Sequence, residues 1–170
     1  MAVRLCLWLV LSLPAPVALG QAAAPAAPGA AEGSINRSGM QAFFATLKRP
    51  DSPNHWLAAP AGFVVKPDAV APVYGVSAAT LREAFGAVLR QTPRAVVVAE
   101  SADGLHVVVT TAVFGFKDDL RVQFIAVSPQ QSTLALYSSS RAGYWDLGTN
   151  RRRVEDWLAR LSAVIAGSGG

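Results

Sequence analysis

The chain has 170 residues, of which 52% are hydrophobic and 15% charged, with a formal net charge of +4. That is enough for one domain of ordinary size, and too apolar and too sparsely charged for an intrinsically disordered chain. So mild a charge lacks the basic excess of a nucleic-acid binder, and no nucleic-acid partner is expected.

The mean hydropathy of +0.33 is raised by the front of the chain. Arg4 supplies one positive charge, Leu5 to Leu13 is apolar apart from Ser12, and Pro14 and Pro16 lead into the small-x-small triplet Ala18-Leu19-Gly20. A charged start, a short apolar middle and a small-residue exit predict a signal peptide over residues 1–20. The run is short of the roughly 20 apolar residues that span a bilayer, so the mature chain is expected to have no transmembrane segment. Export is expected: to the periplasm in a two-membrane bacterium, and otherwise to the outside. Cys6 is the only cysteine and lies in this leader, so the mature chain has no disulfide, thiol nucleophile or cysteine metal site. Residues 21–36, nearly all Ala, Pro and Gly, have the composition of a flexible linker. A single domain is expected over 37–167, with a disordered tail at 168–170.

Met40, Phe43, Phe44 and Leu47 predict a short helix over 38–49, stopped by Pro50. Pro50, Pro53, Pro60, Pro67 and Pro72 then argue for extended, loop-like chain with no central strand. Ser77 reads as the N-cap of a helix to about Gln91, with Leu81, Ala84, Phe85, Val88 and Leu89 on one face. Four strands follow at 95–100, 105–113, 120–127 and 133–138, joined by turns at Ala102-Asp103-Gly104 and Pro129-Gln130. Val154, Trp157, Leu158, Leu161, Val164 and Ile165 mark a last helix from about Asn150 to Gly167. The expected fold is α+β: a two-layer domain in which a four-stranded antiparallel meander carries an N-terminal and a C-terminal helix on one face.

Two segments carry the polar side chains, Phe114 to Asp119 between strands and Tyr137 to Arg153 before the last helix. Ser138, Ser140, Arg141, Gly143, Tyr144, Asp146, Gly148, Asn150, Arg151, Arg153-Val154 and Trp157-Leu158 form one long motif. Phe116-x-Asp118-Asp119 lies upstream, with Ser52-Pro53-Asn54 and Trp56-Leu57-Ala58-Ala59-Pro60 before it. Together these resemble the family called domain of unknown function 1499, over roughly Pro50 to Leu161. The chain departs from that pattern at Ser139, Trp145 and Thr149. The resemblance implies a fold and no reaction.

Asn150 or Thr149 is placed to cap the last helix. Arg151, Arg152 and Arg153 then crowd its first turn, where a cation costs roughly 0.3–1 kcal/mol unless neutralised. The countercharge is either internal, from Asp118, Asp119 and Asp146, or an external anion held by the arginines and free helix N–H groups. Arg141 and Asp146 either lock the loop as a salt bridge or act as substrate clamp and acid. Tyr144 and Trp145 either line a ligand groove or cover an edge of the core. His55 and His106 have no partner at metal or triad spacing, and neither a metal nor a cofactor is expected.

The function expected from these residues is a non-catalytic, exported module of the cell envelope. It would bind an anionic or amphipathic ligand, or an envelope protein, through Arg141, Tyr144, Trp145, Asn150, Arg151, Arg152 and Arg153. The alternative is a small hydrolase or transferase built on Asp118, Asp119, Arg141 and Asp146, which requires those side chains to converge on one cleft.

Overall fold

The computed structural model describes residues 39–112 and 114–168. The expected signal peptide, the linker, Val113 and the last two residues of the tail lie outside them. The elements run α1 (Gly39–Ala45), β1 (His55–Ala59), β2 (Ala69–Val70), α2 (Ala78–Arg90), β3 (Ala95–Ser101), β4 (Gly104–Thr110), β5 (Lys117–Ser128), β6 (Gln131–Ser140) and α3 (Thr149–Gly167).

The fold is mixed α+β, with six strands in the order β2-β1-β6-β5-β4-β3. The expected four-stranded meander makes up only part of this sheet: β3, β4, β5 and β6 pair antiparallel in sequence, and β1 and β2 extend it to six strands. The reading of 50–76 as strandless is corrected. β1 is a central strand, antiparallel to β6 and parallel to the two-residue β2. The prolines bracket it instead of breaking it: Pro53 precedes and Pro60 follows a five-residue run free of proline, so every ladder N–H that β1 needs is present.

Side chains alternate between two faces. On one face Leu105, Val107, Leu120, Val122, Leu134 and Leu136 meet Leu81, Phe85 and Val88 of α2 and Val154, Trp157 and Leu161 of α3. Fully burying each of these large side chains is worth about 1.5–3 kcal/mol, and Phe85 sits edge-on to both Trp157 and Phe124. On the other face, Met40 and Phe44 of α1 pack on Leu57, Ala59, Ala135 and Tyr137, so the expected two layers are corrected: α2 and α3 share one face and the short α1 covers part of the other.

Ser77 caps α2 as expected, its hydroxyl accepting from the Thr80 N–H at 3.1 Å. The hairpin turn between β3 and β4 has a second task. Asp103 accepts from the N–H groups of Met40 and Gln41, so the turn caps α1 from sixty residues away. Burial alone would raise the Asp103 pKa, but these bonds and one from Ser101 outweigh it and hold the carboxyl below its usual range.

β5 and β6 are longer than the sequence suggested, starting at Lys117 and ending at Ser140. Asp118 and Asp119 are therefore strand residues, and the pleat sends them to opposite faces. Asp118 joins the row of Leu120 and Val122 under α3, while Asp119 joins His106 on the other face.

Candidate functional site

One end of the sheet gathers the polar residues that the sequence singles out. There β4 and β6 stop, β5 starts, and a short loop leads from β6 into α3. A row of backbone hydrogen bonds ties the end together: the Thr110 N–H donates to the Arg94 carbonyl, and the Arg141 N–H to the Lys117 carbonyl.

Asn150 is the hub of the joint and is fully buried. Its Oδ1 accepts from Ser138 Oγ at 2.5 Å and from Arg153 Nη1 at 3.1 Å. Its Nδ2 faces the Asn54 carbonyl at 2.8 Å, Ser140 Oγ at 3.0 Å and Asp146 Oδ2 at 2.7 Å. Asn54 in turn donates from Nδ2 to the Gly143 carbonyl. One side chain thus binds the approach to β1, the end of β6, the loop and α3. Buried amides need their polar groups satisfied, and here both ends of the amide are.

This placement corrects the expected cap. Neither Asn150 nor Thr149 caps α3; the cap residue is Gly148, at φ 74°, which has no side chain to offer. The Asp146 carboxylate substitutes for it. Oδ1 accepts from the Gly148 N–H at 2.9 Å and Oδ2 from the Asn150 N–H at 2.8 Å. Burial raises the Asp146 pKa, and the backbone and side-chain bonds from Asn150 with the Gly148 N–H outweigh it, so the carboxyl lies below its usual range. An ionised carboxylate therefore sits on the positive end of the helix, where it offsets the arginines behind it.

Those arginines are also mostly matched. Arg153 reaches back to Asp118 at 2.5 Å, with the two side chains 11% and 2% exposed, and also donates to Ser138 Oγ. Arg151 pairs with Glu155 at 2.8 Å and lies 5.1 Å over the Trp56 ring. Arg152 is exposed, and no carboxylate among the described residues lies within salt-bridge distance of it. The expected crowd of unneutralised cations reduces to Arg152, because α3 brings Glu155 and β5 brings Asp118 to the other two.

Arg141 does not meet Asp146. It forms two parallel bonds to Asp119, each 2.7 Å long, and His106 Nε2 holds the same carboxylate at 2.6 Å. Burial raises the Asp119 pKa, but the bonds and charges of Arg141 and His106 outweigh it and hold it down to about 2. This pair lies on the sheet face opposite Asp118, so Asp118, Asp119, Arg141 and Asp146 do not converge on one point. His106 lies across from Arg121, two residues along β5 from Asp119 and on the same face, a diagonal pairing that only the register of β4 against β5 brings about.

Beside the joint lies a cleft of about 430 Å³. Phe114, Phe116, Trp145 and Leu147 form its apolar walls, with Asp118 and Asp146 at its polar edge. Phe114 is 75% exposed, Trp145 72% and Leu147 84%. The aromatics come in pairs, Phe114 stacked on Phe116 at 5.6 Å and Tyr144 edge-on to Trp145 at 5.2 Å. Leu147 is held at φ 52°, a left-handed conformation that a leucine disfavours by about 1–2 kcal/mol. Across the Trp145–Leu147 ridge is a second cleft of about 420 Å³, with Trp56, His55 and Arg151 in its wall. Phe114, Phe116 and Leu147 were not among the expected ligand contacts. The signal available for them was two phenylalanines round Gly115 in a turn, where an apolar side chain has no core to enter.

Among the described residues, no three His, Cys, Asp or Glu side chains gather as a metal ion needs, and no helix is long and apolar enough to cross a membrane. No curated protein matches the chain. The model of a family described as proteins of unknown function, DUF1499, matches residues 46–161, from the end of α1 to Leu161 of α3 and across the whole joint, and the chain belongs to that family.

Proposed function

We propose that this protein is an exported, non-catalytic binding module of the cell envelope whose ligand is a small amphipathic molecule with an anionic head. The observation that carries the reading is the apolar cleft of about 430 Å³ between Phe114 and Leu147. Its size is in the range of small-molecule sites, which are mostly apolar with a few placed polar groups. An alkyl chain against Phe114, Phe116, Trp145 and Leu147 would place its head at the ridge. Arg151 lines the far side of that ridge, and the Arg152 guanidinium lies beside Gly148. Arg141, Asn150 and Arg153, named with them as ligand candidates, are engaged by internal partners and support the joint. Asp119 and Arg141 lie on the face away from Asp118, which favours binding over the hydrolase or transferase alternative.

The test is titration with decyl phosphate, decanol and inorganic phosphate, each below its micelle concentration, read by tryptophan fluorescence. Decyl phosphate is expected to bind most tightly, to shift the emission to the blue, and to lose that shift in Trp145→Phe. Binding of inorganic phosphate as tight as that of decyl phosphate, or no binding of either alkyl compound, would overturn the reading.

A further inference from the structure

The same end of the molecule has features that a pocket for one molecule does not need. Phe114, Phe116, Tyr144, Trp145 and Leu147 are all more than half exposed, so they line the cleft and also project beyond it. Monomeric proteins scatter exposed apolar side chains singly; five large ones on two adjacent loops are a patch. Three of the five are phenylalanine or leucine and two are tyrosine or tryptophan, the mixture that lies at the boundary between headgroups and acyl chains.

The unpaired charges around the patch are mainly positive, Asp51 before Pro53 being an exposed carboxylate without an ion pair among the described residues. Asp118, Asp119, Asp146 and Glu155 are each taken up by Arg153, by Arg141 and His106, by the α3 backbone and by Arg151. Arg94, Lys117 and Arg152 are exposed at the same end, and no carboxylate among the described residues pairs with any of them. Arg94 and Lys117 flank Thr110 on the last rung of the sheet, and Arg152 follows the loop on α3. An apolar tip is thus rimmed by cations that no carboxylate among the described residues pairs with. A second copy of this chain would bring the same three cations against themselves, whereas an anionic bilayer complements both features at once.

We infer that this end of the protein docks on the surface of an anionic lipid bilayer, with Phe114, Phe116, Trp145 and Leu147 entering the headgroup boundary and Arg94, Lys117 and Arg152 facing the lipid phosphates. The inference rests on the proposed function in that the docked cleft would open toward the lipids, and it names the source of the amphipathic ligand.

The experiment is co-sedimentation of the full chain with vesicles of phosphatidylcholine, alone or mixed with phosphatidylglycerol. Four variants in the same full chain keep any contribution of the leader constant: Leu147→Asp, Trp145→Ala, Lys117→Glu and Arg152→Glu. All four positions are exposed, and circular dichroism checks that each variant folds. The parent chain is expected to bind the mixed vesicles more tightly than phosphatidylcholine alone. Leu147→Asp should weaken that partitioning about tenfold, and each cation reversal should weaken it roughly fivefold or more. Decyl phosphate titration of the same samples separates the two readings. Vesicle binding that is absent, or unchanged in all four variants, while decyl phosphate still binds, overturns the bilayer inference and leaves the cleft standing. Vesicle binding lost in the variants, with no decyl phosphate binding, supports docking and overturns the cleft. A concentration-dependent dimer abolished by Leu147→Asp, with no vesicle binding, overturns the bilayer in favour of a second copy.

Discussion

Asp118 and Arg153 make the most exacting test of the joint. Their side chains are 2% and 11% exposed and bonded at 2.5 Å, and Arg153 also touches Ser138 and Asn150. Asp118→Leu removes the carboxylate and leaves the guanidinium inside, without countercharge, against an amide oxygen and a hydroxyl. Stranding one member of a buried pair costs about 3–5 kcal/mol, because the desolvation of the remaining charge is no longer compensated. For a folded region of roughly 130 residues that corresponds to a fall in Tm of about 10–18 °C. Arg153→Met strands the carboxylate and should cost a similar amount. The double variant removes both charges and replaces them with apolar volume, so it should melt above either single variant. Thermal and urea melts of all four chains complete the cycle. If Asp118→Leu melts within a degree or two of the parent, or the double variant shows the sum of the two single losses, the pair is not the buried, coupled ion pair described here.

Leu147→Asn should raise stability by up to about 1 kcal/mol, because asparagine tolerates the left-handed backbone that leucine disfavours. The same variant should weaken decyl phosphate binding; loss of both stability and binding would mean that Leu147 packs more than its exposure shows. Asp119 predicts a specific acid sensitivity. Its folded-state pKa of about 2 lies below its value in the unfolded chain, so its contribution is complete above about pH 4 and is lost as the pH falls toward 2. Urea midpoints measured down that range should fall less steeply in Asp119→Asn than in the parent, and parallel profiles would exclude Asp119 as the source. Gly104→Ala should cost about 1–3 kcal/mol or prevent folding, since a Cβ there would stand 2.0 Å from the Val122 carbonyl and 2.9 Å from Met40. Chemical denaturation of that variant is the measurement, and a cost near zero would place the β4–β5 contact incorrectly.

The legible part of this protein is what repeats along the chain. The stripe from Val154 to Ile165 predicts α3, Ser77 predicts the start of α2, and the turns at Asp103-Gly104 and Pro129-Gln130 divide the meander. Each of these signals is local, because period, cap and turn chemistry act over a few residues. Gly104 shows how a correct signal can carry the wrong reason. It reads as a turn glycine, and in the fold its lack of a side chain lets β5 and α1 close over it. β1 escaped for the complementary reason: the prolines around it are local and visible, while its partner β6 lies about eighty residues away.

The site divides along the same line. The residues of the joint were all nameable in advance, and their family resemblance rests on them, but their pairings were not. Arg141 was matched in sequence with its neighbour Asp146, and the register of β5 against β6 gave it Asp119 instead. Asn150, expected as a cap, was drawn inside by Ser138 and Asn54, and Asp146 took over the helix end. Sequence alone therefore determined the helices, the four meander strands and which side chains carry charge, since these follow from nearest neighbours and side-chain chemistry. Only the tertiary structure decided which charges cancel and which apolar side chains remain outside, because countercharge and burial depend on strands brought together from distant parts of the chain.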